Sequence, residues 1–260
     1  MLLKWERLPT GVFARWGAVK SPAAWAESFV QNAHIDKRIL ADGSLHKYFL
    51  AYHSMHILYQ DKHIIVVDKP SNLLSTPGSL DDSVVHRLEK QFSFVGVIHR
   101  LDQATSGIMI FALNSKAQSN LAKQFQHRET FKVYEARVKG ILPAEKGTID
   151  LPLICDWPNR PRQEVNSIGK QSLTHWQTID ATPDWSRVQL IPHTGRSHQL
   201  RVHLMALGHP ILGDYFYGQN PDDESDAHSM DERLNLHACQ LHINHPVTGK
   251  RLQFISRAPF

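Results

Sequence analysis

An apolar run from Val95 to Ile98 stops at the polar stretch His99-Arg100-Leu101-Asp102-Gln103-Ala104-Thr105-Ser106-Gly107 and resumes at Ile108-Met109-Ile110-Phe111-Ala112-Leu113. Short, continuous runs rich in β-branched and other apolar residues read as strands. A chain with this pattern must therefore set a polar loop between two apolar strands. Rigid elements on both sides can fix a side chain in such a loop, which catalytic and binding groups require. The loop carries one carboxylate, Asp102, two residues from Arg100. It ends in Gly107, which permits a sharp turn or a close backbone approach. On these residues alone, a loop Asp paired with Arg, or capping its own turn, is the plainer reading, because such Asp-Arg loops are common.

The rest of the chain adds strands and a few helices. Ile64-Ile65-Val66-Val67 is an apolar run closed by Lys69-Pro70. Phe131 to Val138 alternates, with Phe131, Val133, Glu135 and Arg137 on one side and Lys132, Tyr134, Ala136 and Val138 on the other. Val188 and Leu190 mark a strand that ends at Pro192 and the turn Thr194-Gly195, and further strands are expected at His237 to Ile243 and Arg251 to Ile255. Asn114 suits the N-cap of a helix from Ser115 to about Arg128, with Ala117, Leu121 and Phe125 on one face. A second helix is expected from about Ser197 to Leu207, striped by Leu200, Leu204 and Leu207, with Gly208 at its C′ position. Many strands with few helices predict an α+β fold, a mixed and largely antiparallel central sheet with flanking helices.

Residues 1–55 read differently. They hold Trp5, Trp16 and Trp25, a helix-like segment from Trp25 to Ile39 and a turn at Ala41-Asp42-Gly43. They fit either a small extension packed on the main domain or a reduced RNA-binding appendage. The main domain is expected over residues 56–260. With 42% hydrophobic and 21% charged residues, the 260-residue chain can bury a sizeable core, which excludes disorder or a disulfide scaffold as overall descriptions. Cys155 and Cys239 are far apart and suggest no disulfide framework. The first residues lack a long apolar stretch, and no run approaches ~18 apolar residues, so a soluble, cytoplasmic protein without a membrane span is expected. A net charge of +4 permits a polyanionic partner without demanding one.

The 17 histidines raise the question of a metal-dependent hydrolase. His198 and His203 are five apart, so they do not share a helical face as an i,i+4 metal pair would. His99, His193, His209, His237, His242 and His245 show no ligand spacing either. A glycosidase would need a second carboxylate in a setting comparable to that of Asp102, and none is evident. Asp222 to Glu232 holds six acidic residues and reads as an exposed loop.

The stretch His99 to Gly107 resembles H-R-L-D-x-x-T-S-G, the signature of the RluA family of RNA pseudouridine synthases. Other segments resemble that family in the same order: Ile64 to Pro70 followed by Gly78, Lys132-Val133-Tyr134-Glu135-Ala136-Arg137-Val138, Thr194 to His203, and Gly208 to Asp214 with Tyr217. The resemblance spans about residues 57 to 260. For the first ~55 residues there is only a faint likeness, around Asp42-Gly43 to Tyr52, to a degenerate S4-like region.

The resemblance implies the pseudouridine synthase fold and an isomerase of uridine within RNA. The C1′–N1 bond breaks, the uracil rotates, and C1′ rejoins at C5. It implies that Asp102 is the essential carboxylate, acting as nucleophile or base, and that Tyr134 stacks on the flipped base. It further implies that Arg201 pairs with Asp102, holding it ionised and oriented, and that Arg100 enters the space left by the flipped nucleotide. His99, Arg160, Arg162, Arg196 and His198 complete the candidate RNA- and uridine-binding set. No metal or organic cofactor is required, because no electrons or groups leave the substrate. The segment Asp150 to Gln163 resembles the dual rRNA and tRNA branch of the family, so an rRNA or tRNA stem-loop is the expected partner of a monomeric enzyme. A tRNA-only or rRNA-only synthase and a non-catalytic RNA-binding module are the alternatives.

Overall fold

The computed structural model describes residues 5–7, 13–15, 55–78, 82–218 and 233–260. The helix expected at Trp25 to Ile39 and the acidic loop expected at Asp222 to Glu232 lie outside the described residues. The chain divides into two compact units, Met1–Ser54 and Met55–Phe260. In the first, β1 (Trp5–Arg7) pairs antiparallel with β2 (Phe13–Arg15).

In the second unit the elements follow in the order β3 (His56–Gln60), β4 (Ile64–Lys69), α1 (Val84–Glu89), β5 (Gly96–Val97), β6 (Ser106–Ala112), α2 (Ser115–Gln126) and β7 (Phe131–Lys139). Next come β8 (Lys146–Asp150), β9 (Leu153–Cys155), β10 (Gln163–Val165), β11 (Leu173–Ala181), β12 (Trp185–Pro192), α3 (Gln199–Ala206), β13 (Leu236–Asn244) and β14 (Arg251–Ile255). Ten strands form one sheet in the order β3-β4-β6-β13-β7-β12-β11-β8, with β14 beside β13 and β5 beside β6. Strands β9 and β10 form a separate hairpin. Within the described sheet the β6–β13 pair is parallel and the other pairs are antiparallel, so the sheet is mixed and largely antiparallel.

The unbroken apolar runs follow from burial on both faces of the sheet. Ile64, Val66, Ile108 and Ile110 pack with Ala117 and Leu121 of α2. Their neighbours Ile65, Val67, Met109 and Phe111 pack with Val84, Val85 and Leu88 of α1. Strands clad on both sides need no polar face, so period-2 alternation disappears. A third cluster joins Ala136, Val138, Val188 and Leu190 to Leu200 and Leu204 of α3.

The two helices expected within the described residues are present and shorter than expected. Asn114 caps α2 by accepting the Ala117 N–H at 2.9 Å, and the helix stops at Gln126 because Arg128 turns left-handed at φ 60°. Helix α3 begins only at Gln199, since His198 is itself left-handed at φ 53°. Gly208 closes it at φ 88°, as its C′ position demands.

Candidate active site

Sheet register assembles the site. Lys69 of β4 lies opposite Gly107 of β6, Gly107 opposite Ala238 of β13, and Ala238 opposite Tyr134 of β7. The row crosses four strands, and its two middle members are the smallest residues. Gly107 is there because nothing larger fits: its φ is +115°, and an added Cβ would sit 2.4 Å from the Ala238 carbonyl oxygen. The close approach sets Lys69 and Tyr134 at the two ends of this row. The Asp102 loop feeds directly into this row, because β6 starts at Ser106.

The loop is pinned from below. Lys69 is fully buried, and its ammonium donates to the carbonyls of Pro70, Leu73 and Gln103 at 3.0, 2.8 and 2.9 Å. Burial lowers its pKa to about 7; the charges of Asp102 and Asp68 pull the other way. Three carbonyl acceptors match the three hydrogens of the charged form. Ser71 and Ser75 add donors to the carbonyls of Ala104 and Leu101. The start of β6 is fixed by a chain of donors. Arg233 donates to Ser106, and Ser106 lies 2.8 Å from His237 Nδ1. His237 Nε2 lies 3.0 Å from Ser256, which donates to Asp68. Burial holds His237 down to about 4, so the ring is neutral and its single proton fits this direction of donation.

Above the loop stands Arg201, 3% exposed, from the first turn of α3. The sequence led to the expectation that it pairs with Asp102. It does so at 3.4 Å through Nη1, but its main partner is Asp214, which accepts from Nε at 2.7 Å and Nη2 at 2.6 Å. Asp214 also accepts the backbone N–H groups of Phe216 and Tyr217. Burial works against the Arg201 charge, yet the hydrogen bonds and charge of Asp214, with Asp102 adding, raise its pKa overall. Arg201 is thus a guanidinium locked by one carboxylate and offered to another.

His198 joins the same group. Its Nδ1 lies 2.7 Å from the Tyr217 hydroxyl, which accepts the Gln163 N–H at 2.8 Å, and its Nε2 faces Asp102 Oδ1 at 3.9 Å. Burial pushes the Tyr217 phenol up to about 12 and the His198 ring down. A protonated phenol therefore donates to a neutral imidazole, which leaves the ring proton on the nitrogen facing Asp102. Tyr134 lies half-buried at the end of the row, and burial first, then the Asp102 charge, raise its pKa well above the ordinary phenol range.

The structure thus brings Asp102, Tyr134, Arg201 and His198 together. Arg100 is exposed on the same loop. Arg162 lies over the Tyr217 ring at 5.4 Å, and Arg160 lies over Trp157 at 4.2 Å on the β9–β10 turn. Arg196 is exposed and reaches the Gln171 carbonyl at 3.4 Å. His99 is taken up by the fold: its Nε2 accepts the Ile110 N–H, and its ring stacks on Phe125 at 4.8 Å. Burial, with Lys132 nearby, lowers its pKa to about 3.

His203, fully buried, bridges Thr174 and the Leu151 carbonyl. Among the described residues no three His, Cys, Asp or Glu side chains are grouped so as to hold a metal ion. Lys69, Asp214 and Tyr217 stood in recognisable segments but carried no assigned role. The available signal was an ionisable residue next to Pro or Gly at a strand end or turn.

Comparison with known proteins identifies the family. The family model described as RNA pseudouridylate synthase matches residues 63–206, more than half of the chain. The protein named dual-specificity RNA pseudouridine synthase RluA of Yersinia pestis is 52% identical over 196 residues, covering 74% of this chain and 93% of that protein. Its namesake in Escherichia coli K12 is 49% identical, covering 74% and 87%. The solved structure of human RNA pseudouridylate synthase domain containing 1 superposes with a TM-score of 0.68 at 30% identity, covering 80% of this chain and 85% of that one. The matched segment includes the Asp102 loop, Tyr134 and Arg201, and with about half of the aligned residues identical across most of the relatives' length, the chain belongs to the RNA pseudouridylate synthase family.

Proposed function

We propose that this chain isomerises uridine to pseudouridine in stem-loops of both rRNA and tRNA, with residues 56–260 as the catalytic domain and Asp102 as the catalytic carboxylate. The observation that carries the reading is the setting of Asp102, a half-buried carboxylate on a pinned loop, touched by a guanidinium and set beside a phenol. The names of the relatives, dual-specificity synthases at 47–52% identity, support the choice of two RNA classes.

A uracil within a folded stem-loop must be extruded before it can react, at a cost of a few kcal/mol. Arg100 would fill the space it leaves, and Tyr134 would provide a flat partner for the flipped ring. Asp102 then either attacks the sugar at C1′ or removes the 2′ hydrogen, and Arg201 holds its charge in place. The isomerisation takes in and gives out no net atoms or electrons, so no metal or cofactor is invoked. Among the described residues no helix is long and apolar enough to cross a membrane, and we place the enzyme in the cytoplasm as a monomer. Residues 1–55 are read as an extension of the catalytic domain, S4-like at most.

Tritium release from RNA labelled at uridine C5 tests the reading. One equivalent should be released both from an rRNA hairpin and from a tRNA anticodon stem-loop. Release from one class alone would narrow the enzyme to rRNA or tRNA, and release from neither, despite RNA binding, would leave a binding module. Tyr134→Phe should keep RNA affinity and slow turnover by about tenfold or more, since a raised pKa keeps the phenol protonated as a donor. Wild-type rates in that variant would remove the hydroxyl from the chemistry.

A further inference from the structure

Whereas Trp176 is 5% exposed and Trp185 is half-buried, Trp157 is 62% exposed. It stands at the tip of the β9–β10 hairpin, and the Arg160 guanidinium lies 4.2 Å from its ring centroid. A tryptophan this exposed gains little burial energy and leaves a large flat ring open to a ligand. The tip is rigid. Asp156 donates its N–H to the Arg162 carbonyl at 3.0 Å, Arg162 donates to Asn159 at 3.0 Å, and the Asp156 carboxylate accepts from the Asn159 side chain at 3.0 Å. The acidic residue of the turn is therefore occupied internally, and the turn carries two cations, Arg160 exposed and Arg162 half-buried.

Arg162 adds an independent observation. Its Nε is buried and has no hydrogen-bond partner among the described residues. A buried donor left unpaired is costly, and an acceptor drawn against this guanidinium would relieve it. The same hairpin is tied to the candidate active site, because Gln163 donates to the Tyr217 hydroxyl at 2.8 Å and Tyr217 meets His198, which faces Asp102. An exposed aromatic ring with one guanidinium against it, a second guanidinium over Tyr217 on the same hairpin, and continuity with the reactive carboxylate together match a single strand of nucleic acid. Bases stack on aromatic rings, and guanidinium groups hold phosphates.

We propose that this hairpin tip is a second RNA-binding site, resting on the synthase reading above. Trp157, backed by Arg160, stacks on a base neighbouring the target uridine, and Arg162 holds the phosphate between that base and the uridine. The site grips the strand beside the extruded nucleotide and keeps the target sugar over Asp102.

The test uses the full chain and a tritiated anticodon stem-loop. Trp157→Ala should lower kcat/KM by about tenfold to a hundredfold, carried in KM, as expected for the loss of one stacked base. Trp157→Phe should recover most of that loss. Arg162→Gln should flatten the slope of log Kd against log salt by about 0.7, the change for one phosphate contact on single-stranded RNA. The melting temperature of Trp157→Ala should stay at that of the wild type, because an exposed ring contributes little to the core. A wild-type KM in Trp157→Ala, with the salt slope unmoved in Arg162→Gln, overturns the hairpin site while leaving the synthase reading intact. Absence of tritium release by the wild-type protein defeats that reading first.

Discussion

Asp102→Asn is expected to lower pseudouridine formation by about 10⁴-fold or more while RNA affinity stays within a few-fold of the wild type. The geometry makes this substitution unusually clean. Asn keeps the shape of the side chain and an oxygen that can accept from Arg201 at its present 3.4 Å. Arg201 does not depend on Asp102 for its position, because Asp214 holds it with two shorter bonds. The loop keeps its anchor, since Lys69 grips the backbone carbonyl of Gln103 rather than the Asp102 side chain, although without the Asp102 charge the Lys69 pKa falls further. The substitution therefore removes a charge and a nucleophilic oxygen while breaking none of the hydrogen bonds that hold Arg201 to Asp214 or Lys69 to the loop. Melting temperature and RNA binding should be retained, and tritium release from C5-labelled RNA should fall to background. Near-normal release would remove Asp102 from the reaction and shift attention to Tyr134 and Arg201.

The placement of Asp102 was legible in the sequence because two buried strands announce themselves as apolar runs, and whatever polar residues interrupt them must sit at a sheet end. The relation of that loop to Tyr134 was not legible from the residues. It depends on Gly107 lying against Ala238, a parallel contact between strands more than a hundred residues apart. Period and composition describe single strands, whereas neighbour order in a sheet is set by tertiary packing. The same limit explains Asp214. The family resemblance gives Arg201 one carboxylate partner, Asp102, in the signature loop. In the fold, a turn after α3 brings Asp214 closer and buries it to 2% exposure. His99 shows the converse. It heads the signature stretch and so invited a role in binding, yet its ring stacks on Phe125 and accepts a strand amide. Strands β8 to β11 passed unnoticed because residues such as Thr148, Gln163 and Thr178 break the apolar pattern.

The largest expected loss of stability follows from Asp214→Asn. Arg201 and Asp214 are both almost fully buried, and breaking such a pair leaves a guanidinium without its counter-charge, at about 3–5 kcal/mol. For a domain of this size that corresponds to a fall in melting temperature of roughly 6–20 °C. Activity should fall as well, by about 10²-fold in kcat even well below the new melting point. An Arg201 released from Asp214 can swing onto Asp102 or away from it, and a displacement of about 1 Å at a reacting group costs that much. The double substitution Asp214→Asn with Arg201→Gln separates the two effects. It removes both charges and keeps an acceptor for the Phe216 and Tyr217 amides, so much of the lost stability should return. Activity should not return with it, because Asp102 would have lost its guanidinium. If the double variant regained both melting temperature and turnover, the pair would be a structural strut alone. If Asp214→Asn melted and turned over like the wild type, Arg201 would owe its position to something other than Asp214.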